Sequence, residues 1–343
     1  MANSHLSEFE LIARLTRDLP SCPDVRQAAG DDCAVLDLGG DMLLLATCDS
    51  QVEGVHFTFA ISDLVDIGRK ALAINISDIA AMGGEPRYAL ISLILPSHRS
   101  FRLEVLDGIY SGLRQEAEQF DVAIVGGNIA GTGEQENAPM VIDITLLGTI
   151  ERGHALLRSG AQVGDTLFVT GSPGDSAAGL FTLIHPNLSY ETQPRDILRA
   201  IHRVPRPRVR EGRTLSQFGP QVVTAMLDIS DGLSGDLQHI CERSKVGAGV
   251  KVAQLPQSSA LRSIASSAGH DPLDWILNGG EDYELLFSVS PGHEDAVMNA
   301  VQTATGTRVT GIGTICPPEE GMKLTWPDGR MEVLVPKSWD HLR

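Results

Sequence analysis

Residues 68–84, GRKALAINISDIAAMGG, constrain the fold more than any other stretch, because they read as one helix with almost no polar face. Ala71, Leu72, Ala73, Ile74, Ile76, Ile79, Ala80, Ala81 and Met82 predict burial on most sides. Asn75 and Asp78 break the pattern. They lie three residues apart and share one face, with Lys70 two turns earlier near the same stripe. An ionised carboxylate inside apolar packing is costly unless it is paired, hydrogen-bonded or bound to a cation. Asp78 therefore calls for a positive partner, and a metal ion and a neighbouring basic group both remain open.

At 343 residues the chain is long for a single core, and two domains are expected, 1–150 and 151–343, divided near Glu151-Arg152-Gly153. Apolar content of 42% and charged content of 21% are those of a soluble globular protein. The longest apolar runs, at 42–46 and 89–95, are too short to span a bilayer, so no membrane partner is expected. The N-terminal stretch MANSHLSEFELIARL has no basic leader ahead of an apolar core and does not read as a secretory signal. Five scattered cysteines with no CxxC pair fit a reduced, cytoplasmic setting and argue against a thiol metal site. A net charge of −17 argues against nucleic acid, which calls for a basic face. It is equally awkward for a phosphate substrate, unless divalent cations invert the local charge.

The remaining elements follow in order. Residues 6–19 have amphipathic helical spacing, stopped by Pro20. Residues 29–36 form an acidic turn, Asp31-Asp32, that leads into a strand. A second strand, Met42 to Thr47, delivers Asp49, and His56 follows as either a satisfied core histidine or a phosphate donor. Strands are predicted at 88–95, 122–125 and 140–150 and a helix at 101–119, the strand at 122–125 opening into Gly126-Gly127-Asn128. In the second half, 164–171 reads as a strand entering the turn Ser172-Pro173-Gly174-Asp175-Ser176 and a helix, a weak phosphate-loop candidate without the P-loop lysine. The basic stretch 202–213 reads as a turn and a solvated helix start. A strand at 221–227 delivers Asp228-Ile229-Ser230-Asp231-Gly232, two carboxylates and a hydroxyl suited to a hard cation. Gly279-Gly280-Glu281-Asp282 precedes a last strand, 285–289, with Glu281 as a cap or turn carboxylate in the plainest reading.

Together Asp32, Asp49, Asp78, Asp228 and Asp231 form a set of oxygen ligands, which selects Mg²⁺, Mn²⁺ or Ca²⁺ over zinc. Metal-assisted phosphoryl transfer is the economical chemistry for such a set.

Six motifs in order, GDDCAVL (30–36), CDSQVEGVHF (48–57), residues 68–84, RSGAQVGDTLFVTG (158–171), DISDGLSGDL (228–237) and GGEDYELLF (279–287), resemble the thiamine-monophosphate kinase family. That family is related to aminoimidazole ribonucleotide synthetase and selenophosphate synthetase. The resemblance implies a two-domain α+β synthetase-like fold. Its N-terminal mixed sheet pairs into a barrel within a homodimer, ATP binds near the subunit interface, and an α/β C-terminal domain completes the site. It implies direct transfer of a phosphoryl group from ATP, the co-substrate, to thiamine monophosphate, with several Mg²⁺ ions. Asp32, Thr47, Cys48, Asp49, Asp78, Asp228 and Asp231 match its magnesium positions, with Asp78, Asp49 and Asp231 central to catalysis. Thr47 and Cys48 would act mainly through the main chain. Tyr110, Gly127, Arg158 and Ser230 match nucleotide contacts, and His56, Glu281 and Trp339 match positions that hold thiamine phosphate. At Asn128 the family has a metal-binding aspartate. The neutral amide leaves the number of metals open, and with it a catalytically silent binder of nucleotide or thiamine phosphate; a related ATP-dependent enzyme with another small phosphorylated acceptor is the other alternative.

Overall fold

A computed structural model of the chain describes residues 8–96, 103–133 and 138–337. Trp339 lies outside the described residues. Thirteen strands form two mixed sheets. The first holds β1 (Val25–Gln27), β2 (Ala34–Leu36), β3 (Met42–Val52), β4 (Glu85–Leu95), β5 (Ala123–Gly131) and β6 (Val141–Glu151) in the order β1-β2-β3-β6-β4-β5. The second holds β7 (Thr166–Thr170), β8 (Val223–Asp228), β9 (Gly247–Lys251), β10 (Leu285–Val289), β11 (Val309–Cys316), β12 (Met322–Thr325) and β13 (Met331–Val333) in the order β13-β12-β9-β11-β7-β10-β8. Among the described strands β4–β5 and β12–β9 pair in parallel and the others antiparallel. The described helices are α1 (Glu8–Thr16), α2 (Leu64–Ala81), α3 (Leu103–Gln119), α4 (Asp175–Ile184), α5 (Thr192–Arg203), α6 (Val209–Ser216), α7 (Leu233–Ser244), α8 (Ser259–Ala268), α9 (Pro272–Asn278) and α10 (Glu294–Thr305).

Helix α2 is the element both halves share. One side packs with α3 on the first sheet, where Ile67, Leu72, Ile76 and Ile79 meet Leu45, Ile91 and Ile144. Its C-terminal Ala81 joins a separate core with Leu215 of α6, Met226 of β8 and Phe287 of β10. Burial on most sides is thus realised, but the helix begins four residues before Gly68. Gly68 is no boundary. A Cβ there would stand 1.9 Å from the carbonyl oxygen of Ile109, and one on Gly112 of α3 would stand 1.9 Å from that of Val65. The two glycines let the helix backbones cross in contact, which outweighs the helix-propensity cost of glycine.

Two further expectations change. The 122–125 strand does not end at the glycines: β5 runs on through Gly126-Gly127-Asn128, pairing Gly127 with Ile91 and Asn128 with Ser92 of β4. Nor is 202–213 a solvated stretch. His202 is buried, Arg208 binds the Glu284 carboxylate, and Arg213 makes two 2.7 Å bonds to Glu151 and one of 3.0 Å to the carbonyl of Gly83. Arg208 faces inward because the buried Glu284 carboxylate needs a partner, while Arg206 and Arg210 stay exposed.

Candidate active site

Strand alternation decides which residues of β3 reach the site. Leu43, Leu45, Thr47, Asp49 and Gln51 face α2, whereas Cys48 and Ser50 project from the opposite face toward Asp143 of β6. Thr47 Oγ1 donates to Asp78 Oδ2 at 2.5 Å. Asn75, fully buried on α2, accepts the Asp49 backbone N–H at 3.0 Å and donates to the carbonyl of Ala71. The polar pair read on α2 thus has divided duties: Asn75 pins β3 and Asp78 opens into a cleft.

That cleft, about 1030 Å³, runs between the two sheets. Asp32 precedes β2, Asp228 ends β8, and one carboxylate oxygen from each lies within 4.8 Å of the other and of an Asp78 oxygen. Arg158 reaches across the domains to Asp32 Oδ1, with Nε at 3.0 Å, while its backbone N–H donates to Asp31. Ser77 Oγ donates to Asp228 Oδ2. Among the described residues no basic side chain is bonded to Asp78, whose hydrogen-bond partner is the Thr47 hydroxyl. Burial, followed by the charges of Asp49, Asp228 and Asp32, pushes its carboxyl well above the usual range. Burial and Asp32 likewise raise Asp31 and Asp228 to about 7, and burial outweighs Arg158 in raising Asp32. Asp32 Oδ2 is buried without a hydrogen-bond partner. An orphaned carboxylate oxygen, clustered with two more and no soft ligand, suits a hard divalent cation such as Mg²⁺.

Thr47, Cys48, Asp49, His56, Asp78, Arg158, Asp228, Ser230, Asp231 and Glu281 all line the cleft together with Asp32. Tyr110 on α3 and Gly127 and Asn128 on β5 do not. His56 Nδ1 accepts the Val52 backbone N–H at 3.0 Å, which puts the ring proton on Nε2. Glu281 is no cap: Lys70 Nζ lies 2.5 Å from its Oε1. The turn before α4 is closed to phosphate, because Asp282 accepts the N–H groups of Gly174 at 2.6 Å and Ser176 at 3.1 Å. Sequence reasoning passed over His202, His239 and Arg243, all in the cleft wall on helices α5 and α7. His239 and Arg243 lie on α7 just past the motif 228–237, within reach of a helical reading from Asp228, whereas His202 on α5 carries no motif beside it.

Residues 30–150 match the N-terminal domain of AIR synthase related proteins, and residues 162–324 match their C-terminal domain. A two-sheet fold with an aspartate cluster in the interdomain cleft thus places the chain among the AIR synthase related proteins. Within them it belongs to the thiamine-monophosphate kinase family. It is 37% identical to thiamine-monophosphate kinase of Salmonella typhimurium over 337 residues, covering 97% of this chain and 98% of that protein. Identity with the Escherichia coli K12 enzyme is 36% over 336 residues, again 97% and 98%. The solved structure of AaThiL complexed with AMPPCP and TMP superposes with a TM-score of 0.84 at 33% identity, covering 99% of both chains.

Proposed function

We propose that the protein transfers the terminal phosphoryl group of ATP to the phosphate of thiamine monophosphate, giving thiamine diphosphate and ADP. The observation that carries the reading is the cluster of Asp32, Asp78 and Asp228, three carboxylates bonded by one cation, Arg158 at Asp32, with Asp32 Oδ2 left unsatisfied, in a cleft of about 1030 Å³. Each phosphate monoester carries about −1.5 to −2 charge near neutrality, so donor and acceptor repel. Asp32, Asp49, Asp78, Asp228 and Asp231 would hold Mg²⁺, which supplies the positive charge that lets the two phosphates approach.

The remaining roles follow from the side chains themselves. Asp78, Asp49 and Asp231 are the catalytic carboxylates of this reading, with Thr47 orienting Asp78. Arg158 and Ser230 serve the nucleotide. Because the acceptor phosphate is already anionic, it needs no general base. His56 would orient it by donating from Nε2, and Glu281 would contact the organic part of the acceptor. Trp339 keeps a substrate role in this proposal.

Tyr110, Gly127 and Asn128 lie away from this chain's own cleft and would contribute across a homodimer. Tyr88, Leu90 and Ile94 of β4 and Val125 and Ile129 of β5 are exposed, an apolar sheet surface suited to pairing with a second copy. The division near Glu151 and a cytoplasmic location belong to the same proposal. Among the described residues, no helix is long and apolar enough to cross a membrane.

Incubation with ATP, Mg²⁺ and a panel of small phosphorylated acceptors, followed by product mass, tests the function. Thiamine diphosphate formed only with the cation is the expected result. Phosphorylation of a different acceptor alone, or ATP left intact with every acceptor, would refute it.

A further inference from the structure

The Glu281 carboxylate is held from two sides by residues with no role in the scheme above. Its loop is tied to the loop after β8: the Glu281 N–H donates to the Ser230 carbonyl at 2.7 Å, and the Tyr283 N–H donates to that of Ile229 at 2.8 Å. Glu281 and Tyr283 both adopt left-handed backbone, with φ of +65° and +52°. A non-glycine residue keeps that conformation only where its surroundings over-determine it. Side-chain contacts supply part of that constraint. Lys70, 5% exposed, sets Nζ 2.5 Å from Glu281 Oε1. His202, 6% exposed, sets Nδ1 3.5 Å from Glu281 Oε2 and 3.1 Å from Ser176 Oγ. The Ser176 Oγ bond holds the ring with Nδ1 toward the Glu281 carboxylate in either tautomer. Burial and the Lys70 charge lower the His202 pKa to about 4, which keeps the ring neutral. Against burial, the Lys70 charge keeps Glu281 ionised.

We propose that Lys70 and His202 are positioning residues of the acceptor pocket, fixing the Glu281 carboxylate as the hydrogen-bond acceptor for an N–H-bearing or cationic ring of the substrate. The assignment rests on the kinase reading of the cleft. It divides the cleft into two kinds of recognition. At the aspartate end negative charge is in excess, and bound cations meet phosphate. At the Glu281 end the charges cancel, one lysine against one carboxylate, and what remains is a directed acceptor of hydrogen bonds. Both ends are fixed by α2, on which Lys70 and Asp78 stand eight residues apart, about 12 Å along the axis.

The test is steady-state kinetics of Lys70→Met, His202→Ala and His202→Gln beside the unaltered protein, each checked by its melting temperature. KM for thiamine monophosphate should rise about tenfold or more in Lys70→Met and His202→Ala. The KM for ATP and the half-saturating Mg²⁺ should stay within about twofold. His202→Gln, which keeps a donor, should recover most of the loss. Should Lys70→Met unfold because Glu281 is left unpaired, His202→Ala and His202→Gln, which leave the Lys70–Glu281 ion pair in place, carry the test. An acceptor KM unchanged in the folded variants, or a parallel loss in ATP and acceptor KM, would overturn the positioning role while the kinase reading stands. No turnover by the unaltered protein would sink both.

Discussion

Two regions of the molecule take carboxylates out of water and treat them in opposite ways. Around Glu284 the charge is answered within the chain: Arg208 binds both oxygens and Thr170 Oγ1 adds a 2.5 Å bond. Around Asp32, Asp78 and Asp228 three carboxylates crowd within 4.8 Å, and the one guanidinium at hand, Arg158, serves Asp32. The first arrangement is complete without any ligand. The second is short of positive charge, and its carboxyls are pushed toward protonation. Perturbed carboxyls in a cleft mark a place where function has been put ahead of stability.

The sharpest way to break this contrast is Asp78→Asn. Turnover should fall about a thousandfold, about 4 kcal/mol at about 1.36 kcal/mol per decade. In the metal-free protein, however, the melting temperature should hold or rise, because a like-charge repulsion has been removed. A clear drop without metal would mean that Asp78 is paired inside the chain after all. Arg208→Met should behave in reverse. Losing the partner of buried Glu284 should cost about 3–5 kcal/mol in urea unfolding, whatever the metal concentration. A loss near zero would erase the distinction between the two regions.

Asp175 offers a third solution, a buried carboxyl with a hydroxyl partner, Ser258 Oγ at 2.7 Å. Burial and then the nearby Glu284 charge, against the Ser258 bond, raise its pKa from 3.8 to about 7. Its folded pKa lies above the unfolded one, so its contribution to stability is full below about pH 4 and disappears as pH rises to about 7. Asp175 also begins α4, where the helix dipole favours the anion and offsets part of this. Asp175→Asn should therefore raise stability by about 2 kcal/mol at pH 8, with little change at pH 4. Equal effects at both pH values would show that the group does not titrate in that window.

The smallest expected effect is that of Asn128→Asp. An added carboxylate should lower the Mg²⁺ concentration for half-maximal rate about tenfold, about 1.4 kcal/mol, if a homodimer brings this residue to the partner's site. An unchanged midpoint would leave Asn128 a sheet residue only.

What was legible in the sequence follows from where each constraint is local. Burial of residues 68–84 and their lone carboxylate, Asp78, could be read directly, because an apolar helical stretch with one aspartate admits few explanations. Asp32 and Asp228, at strand ends beside glycine or a hydrophobic run, were legible for the same reason, whereas Asp49 lies inside β3, which runs on to Val52 past the expected end at Thr47. Gly68 misled because a glycine that stops a helix and one that admits a neighbouring helix look alike until α3 is in place. Asn128 misled similarly, since a glycine pair inside a strand resembles one that ends it. Lys70, His202, Arg208 and Arg213 were illegible as partners, because Glu281, Glu284 and Glu151 lie 62 to 211 residues away in sequence. Lys70 meets Glu281 through the packing of α2 against the second half, and His202 and Arg208 meet their carboxylates through folding within that half.

The most direct measurement is a Mg²⁺ titration of the melting temperature, with AMPPCP present, for the unaltered protein and for Asp78→Asn. A ligand at about 100 times its Kd adds about 2.7 kcal/mol, so the unaltered protein should gain several degrees as Mg²⁺ is raised. The variant should gain little. Equal gains in both, or none in the unaltered protein, would contradict a cluster that takes its missing positive charge from a bound cation.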